Sequence, residues 1–188
     1  MGFIGDSRTE IGVYGNWPIT LVAALNADYL GSMIVTEDNP RNWAVGGTDI
    51  AEAATAIDGW LAGHTLNPNK DRNVFLINLG ILVSAGETET SFKTNYLYII
   101  DAIVAKYPNA QIYLSRPWSS AQPARCNIMA GWIADIVSSR STNALLGDDE
   151  RVWLEGGDNG ATNTYDGLHY SAAGHAAKVV AVRAVLGY

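Results

Sequence analysis

The chain alternates short apolar runs with longer segments whose apolar residues recur at helical spacing. Five short runs predict strands, at residues 2–5, 32–36, 73–79, 111–115 and 152–154. Helical patterns lie between or after them, at residues 19–26, 50–61, 91–106, 124–139 and 171–185. This alternation is typical of βαβ units, in which helices join parallel strands and cover both faces of one sheet. We therefore expect an α/β fold, a three-layer α/β/α sandwich around a five-stranded parallel sheet.

Local signals agree with these helices. Pro18 suits the first turn of a helix, and Asp49 is a suitable N-cap for the segment that follows it. Tyr107 precedes Pro108, and a residue before proline disfavours the helical conformation, so the third helix should end there.

Size and charge exclude several classes of protein. The 188 residues can bury a substantial core but are few for two domains, so we expect one domain over residues 1–188. No apolar run reaches the ~18 residues of a membrane span, so no membrane-spanning segment is expected. The net charge of −7 repels phosphate backbones, so nucleic acid is not an expected partner.

The residues that could hold a metal are few. Cys126 is the only cysteine, which excludes an intramolecular disulfide and a thiolate-rich metal site. The three histidines, His64, His169 and His175, form no cluster with ligand spacing. We therefore expect neither a metal nor a cofactor.

The first predicted strand begins at Gly2, directly after Met1. Neither a charged segment nor a long apolar segment precedes it, so no signal peptide is visible. Either this strand is short, or the chain derives from a longer precursor that has lost a signal peptide or an upstream domain; secretion is compatible with the second case. The sequence assigns neither a compartment nor an oligomeric state.

Gly-Asp-Ser occupies residues 5–7, where the first predicted strand ends and a loop begins. Functional groups of parallel sheets collect at the carboxyl ends of the strands. Ser7 would stand above the sheet edge there, with backbone N–H groups nearby to stabilise an oxyanion. Serine and aspartate also favour ordinary turns, so the tripeptide is compatible with a turn that has no function.

Asp-Gly-Leu-His occupies residues 166–169, in a polar loop before the last predicted helix. A serine hydroxyl is a weak nucleophile until a base takes its proton, and imidazole does this near neutral pH. Asp166 could fix the tautomer of His169. The alternative for His169 is a solvated loop histidine, whereas His175 lies inside the helical pattern and is expected to be structural.

Together these motifs resemble the sequence blocks of the SGNH/GDSL hydrolase family. Residues 5–7 match its first block, and residues 166–169 match its fifth block, Asp-x-x-His, with Ser-Ala-Ala-Gly-His at residues 171–175 as the usual continuation. Asn-Trp-Ala-Val-Gly-Gly-Thr at residues 42–48 resembles the second block, whose glycine corresponds to Gly47. The three blocks occur in order along the whole chain. The resemblance implies a flavodoxin-like sheet and hydrolysis of esters or thioesters.

The resemblance also implies a role for each matching residue. Ser7 would attack the acyl carbonyl, and His169 would deprotonate Ser7 and later protonate the leaving alkoxide. Asp166 would orient His169. The backbone N–H groups of Ser7 and Gly47 would donate to the oxyanion, and a glycine at position 47 lets the backbone approach the acyl group closely. The alternative for Gly47 is a simple turn glycine.

The third family block, Gly-x-Asn-Asp, is not matched. Residues 80–83 read Gly-Ile-Leu-Val, so the family asparagine, whose amide completes the oxyanion hole, falls on Leu82. Losing one such donor typically costs about 10²–10³ in rate. The chain is then either a hydrolase that works with two backbone donors or a scaffold with little activity. Asn78 is expected to lie too far along its strand to replace the amide, Ser84 could donate if the loop bends, and the apolar side chain of Leu82 could line an acyl or aryl pocket.

Aromatic and basic residues near the expected site give clues to the substrate. Trp43 lies in the second-block loop and Trp118 follows the fourth strand; each either lines the site or packs in the core. Arg116 could bind an acid or a hydroxyl group. Arg8 either shapes the site or pairs with Glu10. The predicted loops are short and offer no lid for a long lipid, which favours short acyl groups such as acetate on a carbohydrate.

Three functions remain open at this point. The first is a serine esterase that acts on a small-molecule or glycan ester, with carbohydrate acetylesterase as the leading case. The second is a catalytically weak carbohydrate-binding or adhesion module, motivated by Leu82. The third is an acyltransferase on the same scaffold.

Overall fold

The computed structural model describes residues 1–10, 16–28, 41–63, 66, 72–82, 86–155 and 162–188. Five strands form one sheet: β1 (Gly2–Gly5), β2 (Arg41–Asn42), β3 (Asn73–Asn78), β4 (Ala110–Arg116) and β5 (Ala144–Asp149). The helices are α1 (Trp17–Asp28), α2 (Ile50–Gly63), α3 (Glu89–Lys106), α4 (Pro123–Ser139), α5 (Glu150–Glu155) and α6 (Ala172–Leu186). Within these ranges, no helix combines the length and the apolarity needed to cross a bilayer.

The strand order is β2-β1-β3-β4-β5, and every neighbouring pair is parallel. The chain runs from β1 to the edge strand β2 and returns to β3 on the other side of β1. This reversal opens a crevice beyond the carboxyl ends of β1 and β3, which is where ligands bind in open α/β sheets. The predicted five-stranded parallel α/β/α architecture, with its flavodoxin-like strand order, is confirmed.

Successive side chains of each strand point to opposite faces of the sheet and enter two separate cores. The larger core lies under α2, α3 and α4, and its strand residues include Ile4, Phe75, Ile77, Ile112 and Leu114. The smaller core lies under α1 and α6, and its strand residues include Phe3, Val74, Leu76 and Tyr113. Because both faces are covered, the strands read as nearly continuous apolar runs.

Side-chain caps set the first residues of α2 and α3. Asp49 and Glu52 form a reciprocal capping box, with N–H···O distances of 2.9 and 3.0 Å, so the predicted N-cap at Asp49 is confirmed. Helix α3 begins two residues before the predicted start, because Thr88 and Ser91 form a second capping box. It ends before Tyr107, as predicted.

The predicted strand at residues 152–154 is wrong. These residues lie in α5, and the fifth strand is Ala144–Asp149. Val-Trp-Leu has high strand propensity and the Gly-Asp-Asp end of β5 has low propensity, so the local sequence favours the opposite assignment. Tertiary contacts override this preference, because Asp148 is buried and its carboxylate lies 2.9 Å from the Lys178 ammonium of α6.

The predicted second strand at residues 32–36 lies outside the described residues. The strand beside β1 is β2, which the sequence placed in a loop. After β2 the chain stays alongside β1: the Trp43 N–H donates to Phe3 O at 2.8 Å, and the Val45 N–H donates to Gly5 O at 3.1 Å. This pairing carries residues 46 and 47 to the carboxyl end of β1.

Two glycines provide a test of the packing in β5. A Cβ at Gly147 would lie 2.8 Å from the Leu114 carbonyl carbon, whereas a Cβ at Gly131, on the exposed face of α4, would meet nothing within 4 Å. We expect Gly147→Ala to lower the free energy of unfolding by about 1–3 kcal/mol. The matched Gly131→Ala should raise it by about 0.5–1 kcal/mol, because alanine is the better helix former. Urea denaturation measures both, and equal effects would contradict the close packing at position 147.

Candidate active site

The loop after β1 folds into a tight turn that presents Ser7. The Asp6 carboxylate accepts a hydrogen bond from the Arg8 backbone N–H at 2.9 Å, and the Asp6 carbonyl accepts from the N–H groups of Thr9 and Glu10. A Cβ at Gly5 would lie 2.5 Å from Thr9 Oγ1, so glycine is needed for the chain to turn back on itself. Ser7 is 8% exposed, whereas its neighbours Asp6, Arg8 and Thr9 are at most 1% exposed.

The loop before α6 holds Asp166 and His169 in one compact turn. Asp166 Oδ1 accepts from the backbone N–H groups of Leu168 at 2.9 Å and His169 at 2.6 Å, and Oδ2 lies 2.5 Å from His169 Nδ1. Gly167 has a φ of 79°, a left-handed conformation that suits glycine. Desolvation opposes ionisation of Asp166, but the hydrogen bonds from the His169 ring and from these backbone groups lower its pKa to about 2.

The two loops meet across the end of the sheet. Ser7 Oγ lies 3.0 Å from His169 Nε2, although 162 residues separate them. Because the Asp166 carboxylate can only accept, Nδ1 must carry the imidazole proton, which leaves Nε2 of a neutral ring free to accept from the Ser7 hydroxyl. The structure therefore brings together the predicted nucleophile, base and carboxylate in one hydrogen-bonded row.

The second-block loop lies beside this row. A Cβ at Gly46 would be 3.6 Å from Ser7 Cβ, and the Gly46 N–H donates to Glu10 Oε2 at 3.0 Å. Gly47 is exposed, has a φ of 84°, and has nothing within 4 Å of the place where a Cβ would stand. In the described part of the chain, no hydrogen bond engages the backbone N–H of Ser7 or of Gly47. Both groups are thus available to a substrate oxygen.

Asn42 joins the nucleophile loop to the second-block loop. Its side-chain amide donates to Thr9 O at 2.7 Å, and its side-chain oxygen accepts from the Ala44 N–H at 2.8 Å. These two hydrogen bonds fix the position of one loop relative to the other. The sequence analysis assigned Asn42 no role.

Leu82 has no hydrogen-bond donor on its side chain, and it packs half-buried against the larger core. Asn78 cannot replace the missing amide, because its Nδ2 donates to the Tyr170 hydroxyl at 3.3 Å and the residue is buried. Val83 and Ser84 lie outside the described residues.

Arg8 pairs with Glu150 and not with Glu10. The guanidinium is fully buried, and Nη1 lies 2.7 Å from Glu150 Oε2 and 3.3 Å from the Trp118 carbonyl oxygen. Sequence reasoning could not identify this partner, because Glu150 lies 142 residues away, two residues before the incorrectly predicted strand. Arg8 therefore supports the loop that carries Ser7 through these buried contacts.

Glu150 connects the nucleophile loop to the base loop. Besides Arg8, its carboxylate accepts from the Tyr170 hydroxyl, from the Trp118 N–H at 3.0 Å and from Lys178 Nζ at 3.0 Å. Arg8 follows Ser7 and Tyr170 follows His169, so one buried carboxylate holds the neighbours of both residues. Desolvation opposes ionisation of Glu150, but Arg8, Lys178 and these hydrogen bonds lower its pKa to about 2.

The remaining predicted substrate contacts lie elsewhere. Trp43 is 4% exposed and stacks on Phe75, and Trp118 is 4% exposed within the same core. Neither ring presents an open face, so the packing alternative describes both. Arg116 is 3.3 Å from Asp149 in a partly exposed ion pair at the carboxyl end of β4. Across the described residues, no cluster of three or more metal-binding side chains forms.

The fold is a parallel α/β/α sandwich with Ser7, His169 and Asp166 in one hydrogen-bonded row at the carboxyl edge of its sheet. The model of the GDSL-like lipase/acylhydrolase family matches residues 3–177, so the chain belongs to this family of carboxylic ester hydrolases. No curated protein matches the sequence significantly.

Several solved structures share the fold. A variant of an acetyl esterase with acetate ion superposes with a TM-score of 0.74 at 17% identity, covering 99% of this chain and 96% of that one. A carbohydrate esterase of family 3 from Talaromyces cellulolyticus gives 0.73 at 18% identity, with 99% and 96% covered. An acetyl xylan esterase from Geobacillus stearothermophilus gives 0.70 at 17% identity, with 99% and 93% covered.

The charge of Glu150 should make stability depend on pH. Its pKa in the folded state lies below the ordinary value of 4.5, so ionisation stabilises the fold above 4.5, and this contribution is lost as pH falls toward 2. We expect Glu150→Gln to lower the free energy of unfolding by about 3 kcal/mol at neutral pH. The difference from wild type should shrink below pH 4.5, as measured by urea denaturation across pH.

Glu89→Gln is the matched control. Glu89 pairs with Lys93 across one turn of α3 at the surface, with 55% of its side chain exposed, so its loss should have little effect at any pH. A pH-independent effect of Glu150→Gln would contradict the role of its charge.

Proposed function

We propose that the protein hydrolyses short-chain carboxylic esters, in particular O-acetyl groups on carbohydrates, by a serine acyl-enzyme mechanism. The observation that carries this proposal is the 3.0 Å contact of Ser7 Oγ with His169 Nε2, with Asp166 behind the imidazole. A nucleophile, a base and an orienting carboxylate in hydrogen-bond contact are the minimum that acyl transfer through serine requires.

The first half of the reaction forms the acyl-enzyme. His169 Nε2 takes the proton of Ser7 Oγ while the oxygen attacks the ester carbonyl, and the carbonyl oxygen becomes an oxyanion. The imidazolium then gives its proton to the departing alkoxide, which leaves as the alcohol as the tetrahedral intermediate collapses. Asp166 stabilises the imidazolium and, with its pKa near 2, stays ionised wherever His169 can act as base.

The second half releases the acid. Water attacks the acyl carbon as His169 takes one of its protons, and the second tetrahedral intermediate collapses as Ser7 Oγ takes that proton back. The acid and the free serine result. No oxidant, metal or cofactor takes part in this balance.

In this proposal, backbone N–H groups stabilise the oxyanion. The N–H groups of Ser7 and Gly47 would donate to the developing negative charge, and Leu82 supplies no third donor. Preorganised donors cost no reorganisation during the reaction, and Glu10 and Asn42 hold the second-block loop by side-chain hydrogen bonds. Two fixed donors therefore support catalysis at a lower rate than three.

Acetate on a carbohydrate is the proposed substrate because three observations favour it. Ile81 is buried and Leu82 half-buried at the third-block position, which leaves an apolar wall suited to a short acyl group. The fully described connections at this edge, residues 43–49 and 117–122, are short. Similar folds include an acetyl xylan esterase and a carbohydrate esterase, which act on esters of this class by name.

Leu82 favours one other function, a carbohydrate-binding module with little turnover. That reading requires glycan binding that does not depend on the Ser7 hydroxyl, together with no ester hydrolysis. The intact row of Ser7, His169 and Asp166 favours the esterase, because a binding module has no need of an imidazole in contact with both a serine hydroxyl and a carboxylate.

An ester assay tests the proposal. We expect the wild type to hydrolyse p-nitrophenyl acetate and to release acetate from acetylated xylan, with rates that fall as the acyl chain lengthens. Ser7→Ala should abolish turnover, and Asp166→Asn should lower kcat by about 10³–10⁴-fold, because the orienting charge is lost. The control is Asp58→Asn, a change on α2 remote from this row. Turnover that survives Ser7→Ala, or a preference for acyl chains beyond about eight carbons, as for lipases, would contradict the proposal.

Leu82→Asn tests the oxyanion hole. An amide at this position would add the donor that the third block normally supplies, so we expect kcat for acetyl esters to rise by about tenfold or more, up to 10²–10³-fold. The same change replaces an apolar contact with the core and should cost about 1–3 kcal/mol of unfolding free energy. Leu82→Ala separates the effects, since it also loses the contact but gains no donor. A fall in kcat with both variants would show that the leucine itself serves the reaction.

A further inference from the structure

Tyr165 is an exposed aromatic residue beside the candidate base. Its ring lies nearly parallel to the His169 imidazole, with an interplanar angle of 15° and a centroid separation of 5.7 Å, yet the residue is 58% exposed. By contrast, Trp43 and Trp118 are each 4% exposed. A large aromatic residue exposed next to reactive groups is a candidate contact for a ligand.

The backbone holds Tyr165 at a defined place relative to the imidazole. The Tyr165 N–H donates to His169 O at 3.2 Å, and Thr164 and Tyr170 form a bridge just outside this pair. The loop that positions the base therefore also positions the tyrosine. Such an anchored ring binds with a smaller entropy cost than a free side chain.

The positions of the oxyanion donors and of His169 decide which part of an ester lies next to the Tyr165 ring. In the proposed tetrahedral intermediate, the former carbonyl oxygen faces the N–H groups of Ser7 and Gly47. The leaving oxygen must face His169 Nε2 to receive its proton. The alcohol part of the ester therefore lies on the side of the imidazole, against which the Tyr165 ring stacks, and the acyl part lies away from it.

We propose that Tyr165 is a platform for the sugar ring that carries the acetyl group. The inference rests on the proposed function and deepens it, because it assigns the alcohol specificity of the same site. A pyranose presents a face of C–H groups that packs flat on an aromatic ring, while its hydroxyls point outward to water, and an exposed tyrosine offers such a ring with a polar edge. A small alkyl alcohol has no comparable face, so Tyr165 selects for the cyclic leaving group.

The test compares two acetate esters that differ only in the alcohol: a mono-O-acetylated methyl xylopyranoside and ethyl acetate. The quantity measured is the ratio of kcat/KM for the sugar ester to kcat/KM for ethyl acetate. Tyr165→Ala should lower this ratio by about three- to tenfold, mainly through the KM of the sugar ester, because one aromatic contact is lost. Tyr165→Phe keeps the ring and should restore most of the ratio.

Taking a ratio removes any effect that Tyr165 exerts through the imidazole, because both esters use the same base. Tyr98→Ala is the matched control: Tyr98 is 50% exposed on α3, remote from the site, and its loss should leave the ratio unchanged. A ratio unaltered by Tyr165→Ala would overturn the platform, as would an equal fall with Tyr98→Ala.

Binding to the Ser7→Ala protein separates this inference from the proposed function. Calorimetric titration with an acetylated xylooligosaccharide should show binding that weakens when Tyr165→Ala is added. If the wild type hydrolyses neither ester but this Tyr165-dependent binding is present, the esterase is refuted and the platform stands. If both esters are hydrolysed and binding does not depend on Tyr165, the platform is refuted and the esterase stands.

Discussion

The buried carboxylate of Glu150 is the interaction on which the site depends. It accepts hydrogen bonds from the side chains of Arg8, Tyr170 and Lys178, which belong to the first loop, the last loop and the last helix. An isolated buried carboxylate would be strongly destabilising, and the two cations with their hydrogen bonds offset that cost. Glu150 thus anchors both loops beneath the crevice. Its partners Arg8 and Tyr170 directly follow Ser7 and His169 along the chain.

The buried charges under the site do not balance one to one. Three carboxylates, Asp6, Asp148 and Glu150, share two cations, Arg8 and Lys178. Burial raises the pKa of Asp6, and Arg8 offsets this only in part. Asp6 therefore holds its charge less firmly than Glu150 does, and its main contribution is geometric, because its carboxylate closes the turn that presents Ser7.

Some contacts of the candidate site form within a single turn, and others join segments that are distant along the chain. Asp166 orients His169 within a four-residue turn, so this pair forms wherever the turn forms. The contact of Ser7 with His169 has no such local cause. It requires the change in strand order at β1 and β3 and the docking of α6, whose Lys178 contacts the buried Glu150 carboxylate. Glu10 and Asn42 extend the same scheme to the second-block loop.

Local signals allowed much of the fold to be predicted from the sequence. Apolar spacing identified all five helices expected, which are α1, α2, α3, α4 and α6. Asp49 marked the start of α2 and Pro108 the end of α3, because such signals act over a few residues. Motif resemblance identified the residues that meet at the candidate site. The same local logic failed at β5, where Val-Trp-Leu favours a strand and the true strand ends in Gly-Asp-Asp.

What the sequence determined by itself is a set of short-range choices: the five long helices, the strands β1, β3 and β4, and the turns that present a serine and a histidine. Only the tertiary structure decided the partners of the buried charges, the burial of Trp43 and Trp118, and the exposure of Tyr165. The physical reason is that desolvation and ion pairing depend on which side chains become neighbours after folding. Arg8 illustrates this: Asp6 and Glu10 are equally near along the chain, but the acid that its guanidinium contacts most closely is Glu150, 142 residues away.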